Sequence, residues 1–251
     1  MGIHGVGGAA IARGQRCAQA AGGLAGAATT EGDRAFFLAQ CDWTPCSFQH
    51  FHAPFEEASD GAGVDLWALS QAGPEEMLNR TEYTQPALLA AGVATWRLWE
   101  CEGGPRPSVL AGHSLGEYTA LVAAGALTLR DGAHLVRIRG QLMQDAAPAG
   151  IGAMAAVLGA EDALVLEVCA AVSGTEVVVP ANFNSPGHIV IAGHAAAVDA
   201  ALAMLAERGV RKAVKLAVSM PSHTPLMREA ANRLAETMAG LDWQLPSLPV
   251  V

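Results

Sequence analysis

The chain has 251 residues, 51% of them hydrophobic and 16% charged, with a formal net charge of −9. That length suits one large domain or two smaller ones, with ample apolar material for a core. The acidic balance argues against a nucleic-acid or anionic-membrane partner, no apolar run is long enough to span a bilayer, and the first residues lack the basic-then-apolar order of a secretory signal.

Residues 1–50 differ in composition from the rest. Twenty of them are Gly or Ala, none is Lys, and Cys17, Cys41 and Cys46 fall among them. Residues 1–54 therefore read as a flexible extension or as non-native sequence outside the natural frame. With Cys101 and Cys169 the cysteines are odd in number and irregularly spaced. They predict neither a disulfide framework nor a metal site, and they suit a reducing cytoplasm.

Order is expected to begin near Phe55, with a helix over 54–59. A short apolar patch over 64–69 closes at Gly73-Pro74, and a short helix starts at Glu75 with Pro74 in its first turn. Thr84-Gln85-Pro86 precedes the run 87–99, which is apolar almost all round and predicts a deeply buried helix. Ser108-Val109-Leu110-Ala111 predicts a short buried strand. Helices are expected to follow over 117–124 and 131–145.

From residue 152 the pattern changes. Strands are expected over 153–158, 176–179, 188–191 and 212–218, and helices over 161–171 and 195–208, the second capped by Gly209. Asn182-Phe183-Asn184-Ser185-Pro186-Gly187 is rich in turn residues and reads as a connector. The order β-α-β-β-α-β is the split unit of ferredoxin-like folds. The fold class expected is therefore α/β: a larger hydrolase-like subdomain with a parallel sheet, residues 55–151 and 219–251, and an inserted ferredoxin-like subdomain, residues 152–218. A helix over 226–239 and the opening of a strand over 245–251 complete the chain.

Gly112-His113-Ser114-Leu115-Gly116 carries the chemistry. A GxSxG pattern between a strand and a helix is the context of a nucleophile elbow, and the helix start can face an oxyanion with backbone N–H groups. A serine needs a base. His113 is adjacent but points elsewhere in a tight turn, and its role is open between packing and chemistry. His134 reads as a surface or partly buried helix residue, and His188 and His194 have no evident partner. His223, in Pro221-Ser222-His223, lies where the chain leaves the inserted unit, 109 residues after Ser114. Clefts between subdomains hold sites, so position favours His223. Arg137 and Arg139 are two apart on one helix and face different ways. An inward guanidinium needs an anion, either an internal carboxylate or a substrate carboxylate.

Taken together, Thr84-Gln85-Pro86-Ala87-Leu88, Gly112-His113-Ser114-Leu115-Gly116-Glu117-Tyr118, Arg139-Gly140-Gln141-Leu142-Met143-Gln144, Asn182-Phe183-Asn184-Ser185-Pro186-Gly187 and Pro221-Ser222-His223 closely resemble the malonyl-CoA:acyl-carrier-protein transacylases of bacterial fatty-acid synthesis. The acyltransferase domains of polyketide synthases are relatives. The resemblance covers about residues 55–251. It implies that Ser114 is the nucleophile, His223 the general base and then acid, and Arg139 the partner of the malonate carboxylate. It further implies that Leu115 gives an oxyanion N–H, and that Met143 and Asn184 line the acyl pocket. The implied substrates are malonyl-CoA and the phosphopantetheine thiol of acyl carrier protein, with no cofactor, no metal, no nucleic acid and no membrane. Residues 1–54 show no counterpart of the family's Gly-Gln-Gly-Ser-Gln loop, and the family continues beyond residue 251. Two alternatives stand beside this reading: a truncated, catalytically impaired fragment, and a serine esterase or thioesterase. Arg208, Arg211, Lys212 and Lys215 are the densest basic cluster, open between a carrier-protein contact and a solvated face.

Overall fold

The computed structural model describes residues 45–251 apart from 149, 217 and 219. The expectation for residues 1–44 lies outside the described residues. Helix α1 (Pro45–Ala62) begins ten residues before order was expected. Its reason is in the spacing: Phe51, Phe55, Ala58 and Ala62 recur on one helical face and are all buried. Phe55 packs edge-on to Trp67, with ring centroids 5.2 Å apart.

One unit comprises the described residues up to Gly140 together with 240–251. After α1, α2 (Leu66–Ala72) starts at Asp65, whose Oδ1 accepts the Ala68 N–H at 2.8 Å. Helix α3 (Glu75–Leu78) starts after Pro74. Helix α4 (Thr81–Cys101) starts earlier than expected and includes Thr84-Gln85-Pro86. Pro86 forfeits one bond, to the carbonyl of Glu82, close to the helix start. The helix is not buried all round: Leu89, Ala90, Val93 and Ala94 are inside, while Leu88 is 44% exposed. Those residues join Phe55, Leu66, Leu129 and Val136 in one core.

The expected buried strand at 108–111 is a correction. Among the described residues its pairing is one parallel bridge, Leu110 with Val250. Leu110 N–H donates to the Pro249 carbonyl and Val251 N–H to the Leu110 carbonyl, each at 2.9 Å. Val109 is 45% exposed. Parallel strands are buried when neighbours flank them and helices cover both faces; Leu110 has one such neighbour here. Helix α5 (Leu115–Ala123) follows the serine turn. Helix α6 (Leu129–Ala146) is started by Thr128, whose Oγ1 accepts the Asp131 N–H and donates to Asp131 Oδ2. Its C-terminal turns belong to the other unit.

The other unit comprises residues 141–239. Its elements run β1 (Gly152–Leu158), α7 (Asp162–Val172), β2 (Val178–Ser185), β3 (His188–His194), α8 (Ala195–Glu207) and β4 (Lys212–Lys215). The sheet order is β2-β3-β1-β4, every neighbouring pair antiparallel. Strand alternation sends Ala153, Ala155, Val157, Ile189 and Ile191 into one core with Val165, Val168, Val198, Ala201 and Leu205 of the two helices. Met154, Val190 and Ala192 form a second cluster from the alternate positions. Helix α8 ends in a paired cap: Gly209 N–H donates to Ala206 and Val210 N–H to Leu205.

The expected connector 182–187 is mostly strand. Asn182, Phe183, Asn184 and Ser185 belong to β2, and two register shifts against β3 accommodate them. Pro186 and Gly187 alone make the turn. A 3-10 turn (Pro225–Met227) and α9 (Arg228–Ala239) follow. Among the described residues no helix is long and apolar enough to cross a membrane.

Candidate active site

The serine turn is tight because its glycine is in contact with backbone. A Cβ on Gly112 would lie 2.0 Å from the Gly116 carbonyl carbon and 2.2 Å from the Glu117 nitrogen. Gly116 has no such constraint, with nothing within 4 Å of a Cβ placed there. Gly116 N–H donates to the His113 carbonyl at 2.9 Å and Glu117 N–H to the Ser114 carbonyl at 3.2 Å. Leu115 opens α5, so its N–H has no carbonyl four residues back within the helix.

Ser114 has φ 53° and ψ −108°. Among the described residues, two that are not glycine have positive φ, and they are Ser114 and His223, the latter at 60°. Side-chain-bearing residues held in this region store roughly 1–3 kcal/mol, and such strain clusters at functional sites.

Arg139 reaches Ser114. Its Nη2 donates to Ser114 Oγ at 3.1 Å, and its Nη1 donates to Gln85 Oε1 at 2.5 Å. The Tyr118 ring lies beside it, with the guanidinium carbon 5.6 Å from the ring centroid. No ion pair among the described residues involves Arg139. Burial pulls its pKa down, and Tyr118 and then Glu117 oppose that shift. Burial also pushes the Tyr118 phenol up, against the pull of Arg139. Arginine remains charged at any physiological pH. The neighbouring Arg137 is used differently. It donates to the Ala62 carbonyl and lies over the Tyr83 ring.

The remaining candidates stand in the other unit. His223 is exposed in the turn after Pro221, where Thr224 Oγ1 donates to the Pro221 carbonyl at 2.7 Å. Met143 is buried with Ala147 and Met227. Asn184 is exposed on β2, its Nδ2 3.4 Å from His188 Nε2. His188 therefore has a partner, as does His194, whose Nδ1 accepts the Val177 N–H at 3.0 Å. His113 and His134 are exposed. In the basic cluster Arg208 pairs with Glu167 and Lys215 with Asp199, in the manner of a solvated face.

Two site residues were missed from the sequence, Gln85 and Tyr118. Both lie inside quoted motifs, but without an assigned role. The available signal was a lone amide at the head of the apolar run of α4: Gln85 is 5% exposed, and its Nε2 donates to Thr81 Oγ1 at 2.9 Å. Chemically, the arrangement is a serine hydroxyl on a strained turn beside a guanidinium held by neutral acceptors.

Residues 48–250 match the family described as acyl transferase domain. The chain is 51% identical over 197 residues to the malonyl CoA-acyl carrier protein transacylase of Escherichia coli K12, covering 78% of this chain and 64% of the relative. It is 42% identical over 198 residues to the Bacillus subtilis protein of that name, covering 78% and 62%. Among solved structures, malonyl-CoA:acyl carrier protein transacylase from Xanthomonas oryzae pv. oryzae matches at 79% identity and TM-score 0.79, over 80% of this chain and 64% of that one. A malonyl-transacylase solved in complex with its type II polyketide acyl-carrier protein matches at 49% identity and TM-score 0.80, over 82% and 67%. The chain thus spans about 64% of the curated relatives' length. By the match over residues 48–250, the chain belongs to the acyl transferase domain family.

Proposed function

We propose that this protein moves a malonyl group from malonyl-CoA to the phosphopantetheine thiol of acyl carrier protein, in fatty-acid synthesis, through an ester on Ser114. The observation that carries the reading is Arg139 Nη2 at 3.1 Å from Ser114 Oγ, with no carboxylate of the described chain in an ion pair with that guanidinium. A malonyl ester on Oγ places its free carboxylate three bonds from the serine oxygen, within the guanidinium's range. An acetyl ester ends in a methyl group and leaves the charge without an anion.

In this reading Ser114 Oγ attacks the thioester carbon while His223 takes its proton. The oxyanion is met by the Leu115 N–H. The carbon–sulfur bond breaks and CoA leaves with the proton from His223. The carrier thiol then attacks the ester, gives its proton to His223, and the serine oxygen takes it back. Thioester, ester and thioester lie close in energy, so water must be kept out. Met143 and Asn184 contact the acyl group. The larger subdomain is hydrolase-like, the unit at 152–218 is an inserted ferredoxin-like subdomain, and the protein works in the cytoplasm. The β-α-β-β-α-β order and the sheet order β2-β3-β1-β4 support the inserted subdomain.

The test is incubation with radiolabelled malonyl-CoA followed by holo acyl carrier protein. Label should attach to Ser114, pass to the carrier, and be absent in Ser114→Ala. Label that survives the substitution contradicts the mechanism.

A further inference from the structure

Arg139 is held by neutral groups. Arginine has five donors and no acceptor, so whatever orients it must accept. The usual orienting partner of a half-buried guanidinium is a carboxylate, which accepts two bonds and cancels the charge. Here the acceptors are the Gln85 amide oxygen and the Ser114 hydroxyl, with the Tyr118 ring alongside.

Gln85 is itself fixed. Because Arg139 can only donate, the amide must turn Oε1 toward it, and Nε2 then donates to Thr81 Oγ1 at 2.9 Å. At 5% exposure little water competes for either end. Backbone geometry brings the two residues together. A Cβ on Gly140 would lie 2.5 Å from Glu82 Cα and 2.7 Å from the Thr81 carbonyl oxygen. The first turn of α4 therefore rests on α6 at the residue after Arg139, and Gln85, one helical turn beyond Thr81, meets the guanidinium.

We propose that Gln85 is a positioning residue that sets the charge of the acyl group accepted at Ser114, orienting Arg139 through a neutral amide rather than an ion pair. The inference rests on the reading of Arg139 as partner of the acyl carboxylate. A glutamate at 85 has the same length and would reach the same Nη1, but as an anion. The incoming carboxylate would then meet an already neutralised guanidinium and a like charge beside it, and a neutral acyl group would lose nothing.

The test compares single-turnover acylation of Ser114 by malonyl-CoA and acetyl-CoA, read by intact mass, in the wild-type chain and Gln85→Glu. The malonyl-to-acetyl rate ratio should fall at least about tenfold, equivalent to about 1.4 kcal/mol. The loss should fall on malonyl-CoA. In an Arg139→Ala background the same substitution should lower the ratio far less, because only the like charge of Glu remains. A merely structural role lowers both rates together and keeps the ratio, which would overturn the proposal. So would an equal fall in the Arg139→Ala background. If Gln85→Glu melts below the assay temperature, Thr81→Val removes the acceptor of the Nε2 hydrogen bond and loosens the amide. Its ratio should fall roughly fivefold, the worth of about one hydrogen bond, and an unchanged ratio overturns the proposal. A wild-type chain that takes no malonyl group refutes the transfer reading and this inference with it. A wild type selective for malonyl-CoA whose folded Gln85→Glu variant keeps that selectivity refutes this inference alone.

Discussion

The four-stranded sheet and the serine turn are built in opposite ways. In the sheet, β1 is paired on both sides, and alternate residues from β1 and β3 share one core with α7 and α8. Its contacts repeat and support one another. Among the described residues, the segment leading to Ser114 pairs through Leu110 alone, and Ser114 sits at positive φ. The contacts at the turn are particular ones: Gly112 against the Gly116 backbone, the Gly116 and Glu117 N–H groups on the His113 and Ser114 carbonyls, and Arg139 on the serine oxygen. The contrast teaches that a redundant scaffold carries stability, while a site keeps strain through a few contacts that cannot be exchanged.

Several substitutions probe that contrast. Ile191→Ala, in the middle of the sheet core and fully buried, should cost about 2–5 kcal/mol in urea denaturation. A loss under 1 kcal/mol would mean that the core collapses around the gap. Gly112→Ala should cost about 1–3 kcal/mol by forcing backbone apart, whereas Gly116→Ala, in open space at the start of α5, should change stability by less than about 1 kcal/mol. Equal losses would show that the turn is not held by that contact. Ser114→Gly should raise stability by about 1 kcal/mol while abolishing acylation, because glycine relieves the positive φ. An unchanged or lower midpoint would count against stored strain.

The smallest effect concerns Cys169, in the core of the sheet unit, where burial pushes the thiol up to about 11. Its folded pKa is raised, so the native state keeps the proton after the unfolded chain has lost it. Stability should therefore be insensitive to this group below its ordinary value of 9.0 and should fall as pH rises from there to about 11. Melts of wild type and Cys169→Ala across that interval should converge, with the wild type showing the steeper decline.

What could be read from the sequence follows the same division. Period-two and helical patterns located the elements of the sheet unit, because each side chain's burial depends on neighbours two to four residues away. The GxSxG context located the elbow for the same reason. Composition misled at Asn182–Ser185, where turn-forming residues occupy a bulged strand, and at 50–54, where the Phe51–Phe55 spacing outweighed the unusual segment before it. Spacing shows that Arg137 and Arg139 face different ways but not which of them turns inward, and the partner of Arg139, Gln85, lies 54 residues away on another helix. No local period encodes that contact, and the glycine that permits it, Gly140, is unremarked until the helices are docked.

The central claim is that the guanidinium beside Ser114 selects an acyl group bearing a carboxylate. Single-turnover acylation of Arg139→Ala by malonyl-CoA and acetyl-CoA tests it most directly. The wild type should favour malonyl-CoA, and the variant should lose that preference by on the order of a hundredfold while still acylating Ser114 with the neutral group. A variant that still prefers malonyl-CoA as strongly as the wild type would contradict the account.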